Sequence, residues 1–285
     1  MRGWWVEESL VIEVDSFLAL GDSFTEGMED ELGPEGRYLG WADRVAAALA
    51  AQRPGLRYGN LAIRGRLLDQ VVAEQLPVAL ELRPDLVSFH AGPNDVLRPG
   101  MDLPALAARY DEAVARLTGA GSTVVLFTAI QRAGGTSRFA DRLADRFAAF
   151  NAGVRATAAR HGALLVDVGV VRAFYDRRMW HEDRLHLAPE GHRRVAAAVL
   201  ETLGLRDPAL LGGEPGWWRQ HLLAVRRPPR HRRVAADVRW VTRYLAPWVG
   251  RRLRGVSSGD GITCKRPELL PVQRSASTDG LPTTT

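Results

Sequence analysis

Apolar and polar positions follow two alternating patterns between residues 17 and 203. Short runs rich in Leu, Val and Phe, each ending in a glycine or a polar loop, predict strands that are buried on both faces. These runs cover residues 17–20, 56–61, 85–90, 123–128 and 163–168. Helical spacing of apolar residues lies between them, over residues 41–52, 67–82, 103–118, 137–160 and 190–203. The alternation predicts an α/β fold with helices on both faces of a mostly parallel five-stranded sheet, and ligands in such folds bind beyond the carboxyl ends of the strands.

The pattern changes after about residue 212. Residues 212–216 read Gly-Gly-Glu-Pro-Gly, which is typical of a linker. A basic helical stretch follows, with apolar residues at Val234, Val238, Val241, Leu245 and Trp248. Pro247 is expected to kink or end that helix. From about residue 255 the chain is rich in Ser, Gly, Pro and Thr, which predicts disorder. We therefore predict a first domain over residues 1–212, a basic Arg- and Trp-rich helical extension over 213–254 and a disordered tail over 255–285.

Charge is divided unevenly along the chain. Residues 217–285 hold 14 Lys and Arg against 4 Asp and Glu, whereas residues 1–216 hold 24 against 29. An acidic body therefore carries a basic tail. The favoured interpretation is that the tail packs its Val, Leu and Trp stripe on the body, with its arginines in solvent or paired to the acidic body. Contact with an anionic membrane surface is the alternative, and binding of nucleic acid is not expected.

Several classes of protein are excluded by residue types and spacing. Cys264 is the only cysteine, so no internal disulfide forms. Residues 181–186 are one residue too long for the zinc motif His-Glu-x-x-His, and neither a metal nor a cofactor is expected. Residues 255–259 fit Gly-x-Ser-x-Gly, but no buried strand precedes them and no histidine follows. The acidic N-terminus lacks a signal-peptide core and no apolar run could span a bilayer, so a cytoplasmic location is expected.

The first candidate for chemistry is Gly21-Asp22-Ser23, directly after the first predicted strand. A serine hydroxyl becomes a useful nucleophile when a neighbouring base takes its proton. A tight turn at the end of a strand can present Ser23 at the rim of the sheet. Asp22 and Ser23 could instead cap a following helix, since these residue types often do so.

A base for that serine is offered by His186, which follows Asp183 by three residues. Imidazole titrates near neutral pH, and a carboxylate one turn earlier can hold its second ring nitrogen. His192 competes for this role, but it lies at the start of the last predicted helix, where packing or capping is the simpler interpretation.

Two further strand ends offer hydrogen-bond donors. Asn60 and Gly65 follow the second predicted strand, and Asn94 and Asp95 follow the third. Acyl transfer passes through a tetrahedral oxyanion that requires preorganised N–H groups. Each loop taken alone is only a loop of turn-forming residues.

Taken together and in this order, these blocks resemble the SGNH/GDSL hydrolase family. The resemblance covers about residues 17–203 and implies a flavodoxin-like fold. The family's Gly-x-Asn-Asp block falls at residues 92–95, where Pro93 fills the variable position. The resemblance implies a catalytic set of Ser23, Asp183 and His186. It implies an oxyanion hole formed by the backbone N–H groups of Ser23 and Gly65 and the amide of Asn94. It also implies that Asp22, Asn60 and Asp95 brace the loops.

The function expected from the resemblance is a serine esterase that cleaves carboxylic esters through an acyl-serine intermediate. Its substrate would be a small-molecule, lipid or carbohydrate ester. An alternative is acyl transfer to an alcohol or amine at the same Ser-His-Asp site. An alternative of another class is a non-catalytic binding protein that docks through its basic tail. The loops at residues 98–101 and 131–138 are expected to shape the mouth of the pocket.

Overall fold

The computed structural model describes residues 13–33, 36–130, 138–226 and 229–273 of the chain. Its strands are β1 (Ser16–Gly21), β2 (Arg57–Asn60), β3 (Leu86–His90), β4 (Thr123–Phe127), β5 (Leu164–Val166) and β6 (Arg266–Pro271). They form one sheet in the order β5-β4-β3-β1-β2-β6. All neighbouring pairs are parallel except β2 and β6, which are antiparallel.

Helices connect the parallel strands and continue beyond them. The α-helices are α1 (Ser23–Glu26), α2 (Gly40–Gln52), α3 (Leu68–Glu74), α4 (Leu76–Leu82), α5 (Pro93–Val96), α6 (Leu103–Gly119), α7 (Arg138–His161), α8 (Pro189–Thr202), α9 (Pro208–Leu211), α10 (Arg230–Trp240) and α11 (Ala246–Leu253). Short 3₁₀ turns cover Val168–Val170, Arg172–Tyr175, Arg177–Met179 and Trp217–Arg219, and a π-helical turn covers Val241–Leu245. No helix in the described ranges is long and apolar enough to cross a bilayer.

The sheet is buried on both faces because successive side chains of a strand point to opposite sides. In β1, Phe17 and Ala19 join one apolar cluster, and Leu18 and Leu20 join the other. Helices α2 and α8 supply the first cluster, and α3, α6 and α7 supply the second. This is the predicted three-layer α/β/α arrangement, and that prediction is confirmed.

The predicted count of five strands is wrong, because the tail contributes a sixth. Strand β6 lies within residues 255–285, where disorder was predicted, so that prediction is wrong for residues 266–271. Proline is tolerated here because β6 is an edge strand. The ammonium group of Lys265 anchors its start by donating to the carbonyl oxygens of Tyr38 (3.0 Å) and Leu39 (2.8 Å) and by pairing with Asp43. Residues 274–285 lie outside the described residues.

The single helix predicted over residues 67–82 is two helices, α3 and α4. Gln75 lies at the break, and its side chain accepts from the Gly21 amide at 2.8 Å and donates to the Gly21 carbonyl oxygen at 2.9 Å. Pro77 occupies the first turn of α4, where its missing N–H costs nothing. The break therefore provides a side chain that holds the end of β1.

The basic stretch forms α10, a π-helical turn and α11, and Pro247 does not end the helix. The π-helical turn precedes α11, and the helix continues through Pro247 to Leu253. Such a turn adjusts the hydrogen-bond ladder at a point where proline removes a donor. Of the Val, Leu and Trp stripe that was expected to pack on the body, the valines do not pack there: Val234, Val238 and Val241 are 53%, 58% and 43% exposed. Leu245 and Trp248 of the same stripe are partly buried.

Candidate active site

Ser23 lies at the carboxyl end of β1, as the first residue of α1. Asp22 is the N-cap of that helix and accepts a hydrogen bond of 3.1 Å from the Phe24 amide. Gly21 precedes them with a φ of 149°, and a Cβ there would collide with the carbonyl oxygen of His90. Only glycine allows this close approach of two strand ends. The helix-capping interpretation of Asp22 is therefore correct, and Ser23 is still placed at the rim of the sheet.

Asp183 and His186 meet within one turn. Oδ2 of Asp183 lies 2.6 Å from Nδ1 of His186. Oδ1 accepts from the backbone amides of Leu185 (2.9 Å) and His186 (3.0 Å). Burial alone would raise the pKa of Asp183, but the hydrogen bond and charge interaction with His186 and these amides outweigh it and hold the pKa well below its ordinary value. The carboxylate is therefore the acceptor, His186 carries the proton on Nδ1, and Nε2 is its basic nitrogen.

Ser23 and His186 line the same pocket, together with Asp22 and Asn94. The pocket has a volume of about 510 Å³. Most of its remaining wall is apolar, with contributions from Phe24, Leu97, Leu143, Phe147, Trp180 and Leu185. A pocket of this size that combines apolar walls with a few convergent polar groups is typical of a small-molecule site.

Of the two loops expected to shape the pocket mouth, the structure describes residues 98–101 but not residues 131–137. Leu97, which directly precedes residues 98–101, lines the pocket, whereas residues 98–101 themselves are not among its described lining residues. Residues 131–137 lie outside the described residues. Asp141 in the first turns of α7 and Tyr175 in the 3₁₀ segment line the pocket as well.

The candidate oxyanion donors differ in whether their N–H groups already donate hydrogen bonds within the protein. Within the described chain, the backbone N–H groups of Ser23 and Gly65 donate to no protein acceptor. The amide of Asn94 is engaged: Nδ2 donates to Oδ2 of Asp22 at 3.0 Å and to the carbonyl oxygen of Arg66 at 3.1 Å. Gly65 is not among the pocket-lining residues, and the Arg66 contact is what ties its loop to Asn94.

Asn60 and Asp95 hold loops at neighbouring strand ends. Nδ2 of Asn60 donates to the carbonyl oxygen of Thr25 at 3.0 Å, and Oδ1 accepts from the Ala62 amide at 3.1 Å. Oδ2 of Asp95 accepts from the Leu68 amide at 3.0 Å. Burial outweighs this contact and raises the pKa of Asp95 to about 6. These bonds connect the segments after β2 and β3 to α1 and α3.

Two further histidines, His90 and His192, lie at the pocket in different surroundings. His90 ends β3, and its Nδ1 lies 3.7 Å from Oδ1 of Asp22. Its ring is tilted against the Phe24 ring, with the ring centroids 4.3 Å apart. Sequence reasoning missed it, although a polar residue at the end of a buried strand is a signal. His192 in α8 is buried, with Nε2 3.0 Å from the carbonyl oxygen of Met28, and burial lowers its pKa to about 4. That geometry agrees with the packing interpretation.

A second polar cluster adjoins the turn that carries His186. One oxygen or nitrogen atom each of Glu29, His181 and Asp183 lies within 4.8 Å of the others. The Asp183 carboxylate in this group is already the acceptor for His186. His181 contacts Glu29 at 3.4 Å through Nε2.

Sequence reasoning also missed the segment that covers the Gly65 loop. A Cβ built on Gly65 would collide with the Ser257 hydroxyl, and a Cβ on Gly259 would collide with the Arg64 carbonyl oxygen. Asp260 lies 3.9 Å from the Arg66 guanidinium. The residues of the discarded Gly-x-Ser-x-Gly motif therefore lie against the loop of a candidate oxyanion donor.

Comparison with known proteins identifies the family of the chain. Residues 19–194 match the GDSL-like lipase/acylhydrolase family. The chain belongs to that family. Its members are ester-bond hydrolases, and the match spans the strand ends that carry Ser23, Gly65, Asn94 and His186. A comparison with curated proteins gave no match.

Solved structures share the fold of this GDSL hydrolase. TesA has 24% identity and a TM-score of 0.55, covering 66% of this chain and 97% of its own. Axe2, an acetylxylan esterase from Geobacillus stearothermophilus, has 23% identity and a TM-score of 0.56, covering 69% and 97%. LAE5, an alpha/beta hydrolase from the metagenome of Lake Arreo in Spain, has 25% identity and a TM-score of 0.52, covering 67% and 95%. Catalytic mutants of Axe2 replace a serine, an aspartate and a histidine, the last two being three positions apart.

Proposed function

We propose that this GDSL hydrolase is a serine esterase in which Ser23 is the nucleophile, His186 the base and Asp183 the residue that orients the base. The observation that carries the proposal is the 2.6 Å hydrogen bond between Asp183 and His186 beside a pocket that Ser23 also lines. The three-residue spacing of Asp183 and His186 is also the spacing of the aspartate and histidine in the Axe2 catalytic mutants.

The reaction begins when Oγ of Ser23 attacks the ester carbonyl carbon and Nε2 of His186 takes the hydroxyl proton. The carbon–oxygen bond to the alcohol then breaks, and His186 returns that proton to the departing oxygen. Water attacks the acyl-serine next, with His186 again accepting a proton. Collapse releases the carboxylic acid and restores Ser23. Asp183, whose pKa is held low, stays ionised throughout and stabilises the imidazolium.

The oxyanion formed in each half of the reaction needs donors that do not have to reorganise. The Ser23 and Gly65 amides are suited to this because no protein acceptor in the described chain takes their protons. Asn94 would be the third donor. Both N–H groups of its amide are engaged, by Oδ2 of Asp22 and by the carbonyl oxygen of Arg66, so Asn94 must release one of these hydrogen bonds to donate to the oxyanion.

The pocket favours an acyl group longer than acetyl. Axe2 is named as an acetylxylan esterase. Here the pocket wall contains Phe24, Leu97 and Phe147, whose apolar surfaces suit a hydrocarbon chain. We therefore place small-molecule and lipid esters ahead of acetylated carbohydrates as substrates.

The experiment that tests the proposal combines covalent labelling with turnover. A fluorophosphonate probe is expected to label Ser23 in the wild-type protein and to leave Ser23→Ala unlabelled. Ser122→Ala, which alters a serine hydrogen-bonded to the Pro84 carbonyl oxygen before β4, is the matched control and should label normally. Hydrolysis of acyl p-nitrophenyl esters should disappear in Ser23→Ala and in His186→Ala.

Two results would point to the other functions considered. Transacylated product on addition of simple alcohols or amines, at the expense of free acid, would make the protein an acyltransferase. Absence of both labelling and turnover in folded wild-type protein would contradict the enzyme proposal and favour a binding role.

A further inference from the structure

The helix formed by residues 230–253, called the basic helix here, buries little of its surface. None of the described residues of α10 is buried. Val234, Val238 and Val241 lie at i, i+4 and i+7, so they form one exposed apolar stripe. Helices in water gain most of their stability by packing an apolar face. This stripe has no such cover within the described chain.

The basic helix is also strongly cationic. It contains seven arginines and one acidic residue, Asp237, which pairs with Arg184 of the body. Arg232, Arg239 and Arg243 are exposed, and none forms an ion pair with the described acidic residues. By helical spacing these three lie on the side opposite the valine stripe.

The residues that attach the basic helix to the body lie on a third side. Trp240 is half-buried and donates from Nε1 to the Asp183 carbonyl oxygen at 2.7 Å. Tyr244 packs edge-on against His181, with ring centroids 6.1 Å apart. The helix can therefore remain attached while the valine stripe is covered by something else.

We infer that the basic helix docks on an anionic lipid surface. An apolar stripe with arginines on the opposite side is the pattern of helices that lie in the bilayer interface. Arginine stems are long enough to reach lipid phosphates from that side. Nucleic acid would use the charges alone and leave the valines exposed, so lipid accounts for both observations. This inference does not depend on the proposed catalytic function.

Vesicle co-sedimentation of the full chain tests the inference. Binding is expected to vesicles of phosphatidylcholine with roughly one-third phosphatidylglycerol, and not to phosphatidylcholine alone. Replacing Arg232, Arg239 and Arg243 with Gln is expected to weaken binding about a hundredfold at low salt. Replacing Val234, Val238 and Val241 with Ser is expected to weaken it about tenfold. The charge control replaces Arg57, Arg83 and Arg116, three exposed arginines of the body, with Gln.

Other results would overturn the inference. Equal loss of binding in the body-arginine control would show a non-specific charge effect. Salt-sensitive binding to duplex DNA, unchanged in the valine variant and without vesicle binding, would assign the helix to nucleic acid. A dimer in light scattering that the valine variant abolishes, again without vesicle binding, would assign the stripe to a second copy. Ser23→Ala should bind vesicles like the wild type, which separates docking from catalysis.

A different observation concerns the turn between Asp183 and His186. Arg184 has a φ of 62°, in the left-handed region that non-glycine residues rarely adopt. Such a conformation persists when surrounding contacts hold it. Two of these contacts come from α10: Asp237 pairs with the Arg184 guanidinium, and that guanidinium lies 4.6 Å from the centre of the Trp240 ring. A third lies within the turn, where the Arg184 backbone N–H donates to the His181 carbonyl oxygen at 3.1 Å. The Trp240 indole also holds the Asp183 carbonyl oxygen.

We propose that Trp240 and Asp237 are positioning residues that hold this turn in its catalytic conformation. The proposal rests on the role of Asp183 and His186 proposed above. Neither residue is among the pocket-lining residues, so each would act on catalysis through the turn. Because small displacements of a catalytic base are costly, loss of either contact should lower turnover more than substrate binding.

The test measures kcat and KM for a soluble acyl ester in Trp240→Phe and Asp237→Asn. Each is expected to lower kcat about tenfold with KM little changed. Arg184→Gly supplies the control, because glycine adopts this φ without strain. In that background, Trp240→Phe should lower kcat clearly less than in the wild type.

Two outcomes separate the failures of this proposal and of the proposed function. If Asp183→Asn abolishes turnover while Trp240→Phe leaves kcat unchanged, the positioning role is wrong and the catalytic assignment stands. If Asp183→Asn leaves turnover intact in folded protein, the proposed function fails. An equal effect of Trp240→Phe with and without Arg184→Gly would overturn the link through Arg184.

Discussion

The side-chain amide of Asn94 donates a 3.0 Å hydrogen bond to Oδ2 of Asp22. Its second hydrogen bond, 3.1 Å long, goes to the carbonyl oxygen of Arg66. One amide group thus joins the loops that follow β1, β2 and β3. These loops carry Ser23, Gly65 and Asn94, so the amide fixes the relative positions of the three candidate oxyanion donors.

The first prediction concerns removal of this amide. Asn94→Ala is expected to lower kcat a few hundredfold, because one oxyanion donor is worth about 3–4 kcal/mol in the transition state. The measurement is steady-state turnover of a short p-nitrophenyl ester, with thermal unfolding followed by circular dichroism as the control for folding. Unchanged turnover in the folded variant would remove Asn94 from the site.

The second prediction concerns Gly65, whose φ is 75°. In Gly65→Ala the new methyl group would meet the Ser257 hydroxyl, and the backbone would be strained by about 1–3 kcal/mol. The loop is expected to shift and withdraw its N–H from the oxyanion. We therefore expect kcat to fall at least tenfold, measured as for Asn94→Ala.

A control for Gly65→Ala separates the collision with the Ser257 hydroxyl from the backbone strain. Adding Ser257→Gly to Gly65→Ala removes the hydroxyl that the new methyl group would meet. Partial recovery of kcat is expected, since the strain at Gly65 remains. Ser257→Gly alone should be close to wild type. No recovery would mean that the segment over the loop does not limit its position.

How far the sequence predicts this molecule depends on how local each feature is. The spacing of apolar residues along the chain predicts the buried strands, and the polar residues that follow each strand are visible in the sequence. The three-layer fold and the GDSL blocks could therefore be predicted from the sequence alone. The pairing of β6, fixed by Lys265 against residues more than 200 positions away, has no local signal. The same holds for Trp240 on the Asp183 turn, 57 residues apart, and for Ser257 over Gly65. Such contacts come from tertiary structure, which overrides weak local preferences.

The third prediction concerns acid stability and follows from His192. Burial lowers its pKa from 6.5 to about 4, so between these values the unfolded chain binds a proton that the folded protein does not. Stability therefore falls as the pH drops through this window. Relative to His192→Gln, the wild type should lose about 2 kcal/mol of unfolding free energy between pH 7 and pH 5. Urea unfolding of both proteins at the two pH values measures this, and the comparison cancels the opposite contribution of Asp95.

The fourth prediction concerns acyl chain length. If the apolar wall of the pocket holds the acyl chain, kcat/KM for p-nitrophenyl esters should rise about fourfold for each methylene added to the acyl chain. The reason is that burial of one methylene is worth about 0.8 kcal/mol.

Leu97→Trp provides the test of where the chain lies. The larger side chain narrows a pocket of about 510 Å³, so activity on octanoate esters should fall while activity on acetate esters is retained. Because both substrates use the same Ser23, His186 and Asp183, a selective loss cannot come from damage to the catalytic groups. An equal loss on both esters, or a wild-type preference for acetate, would show that the acyl chain does not occupy this pocket.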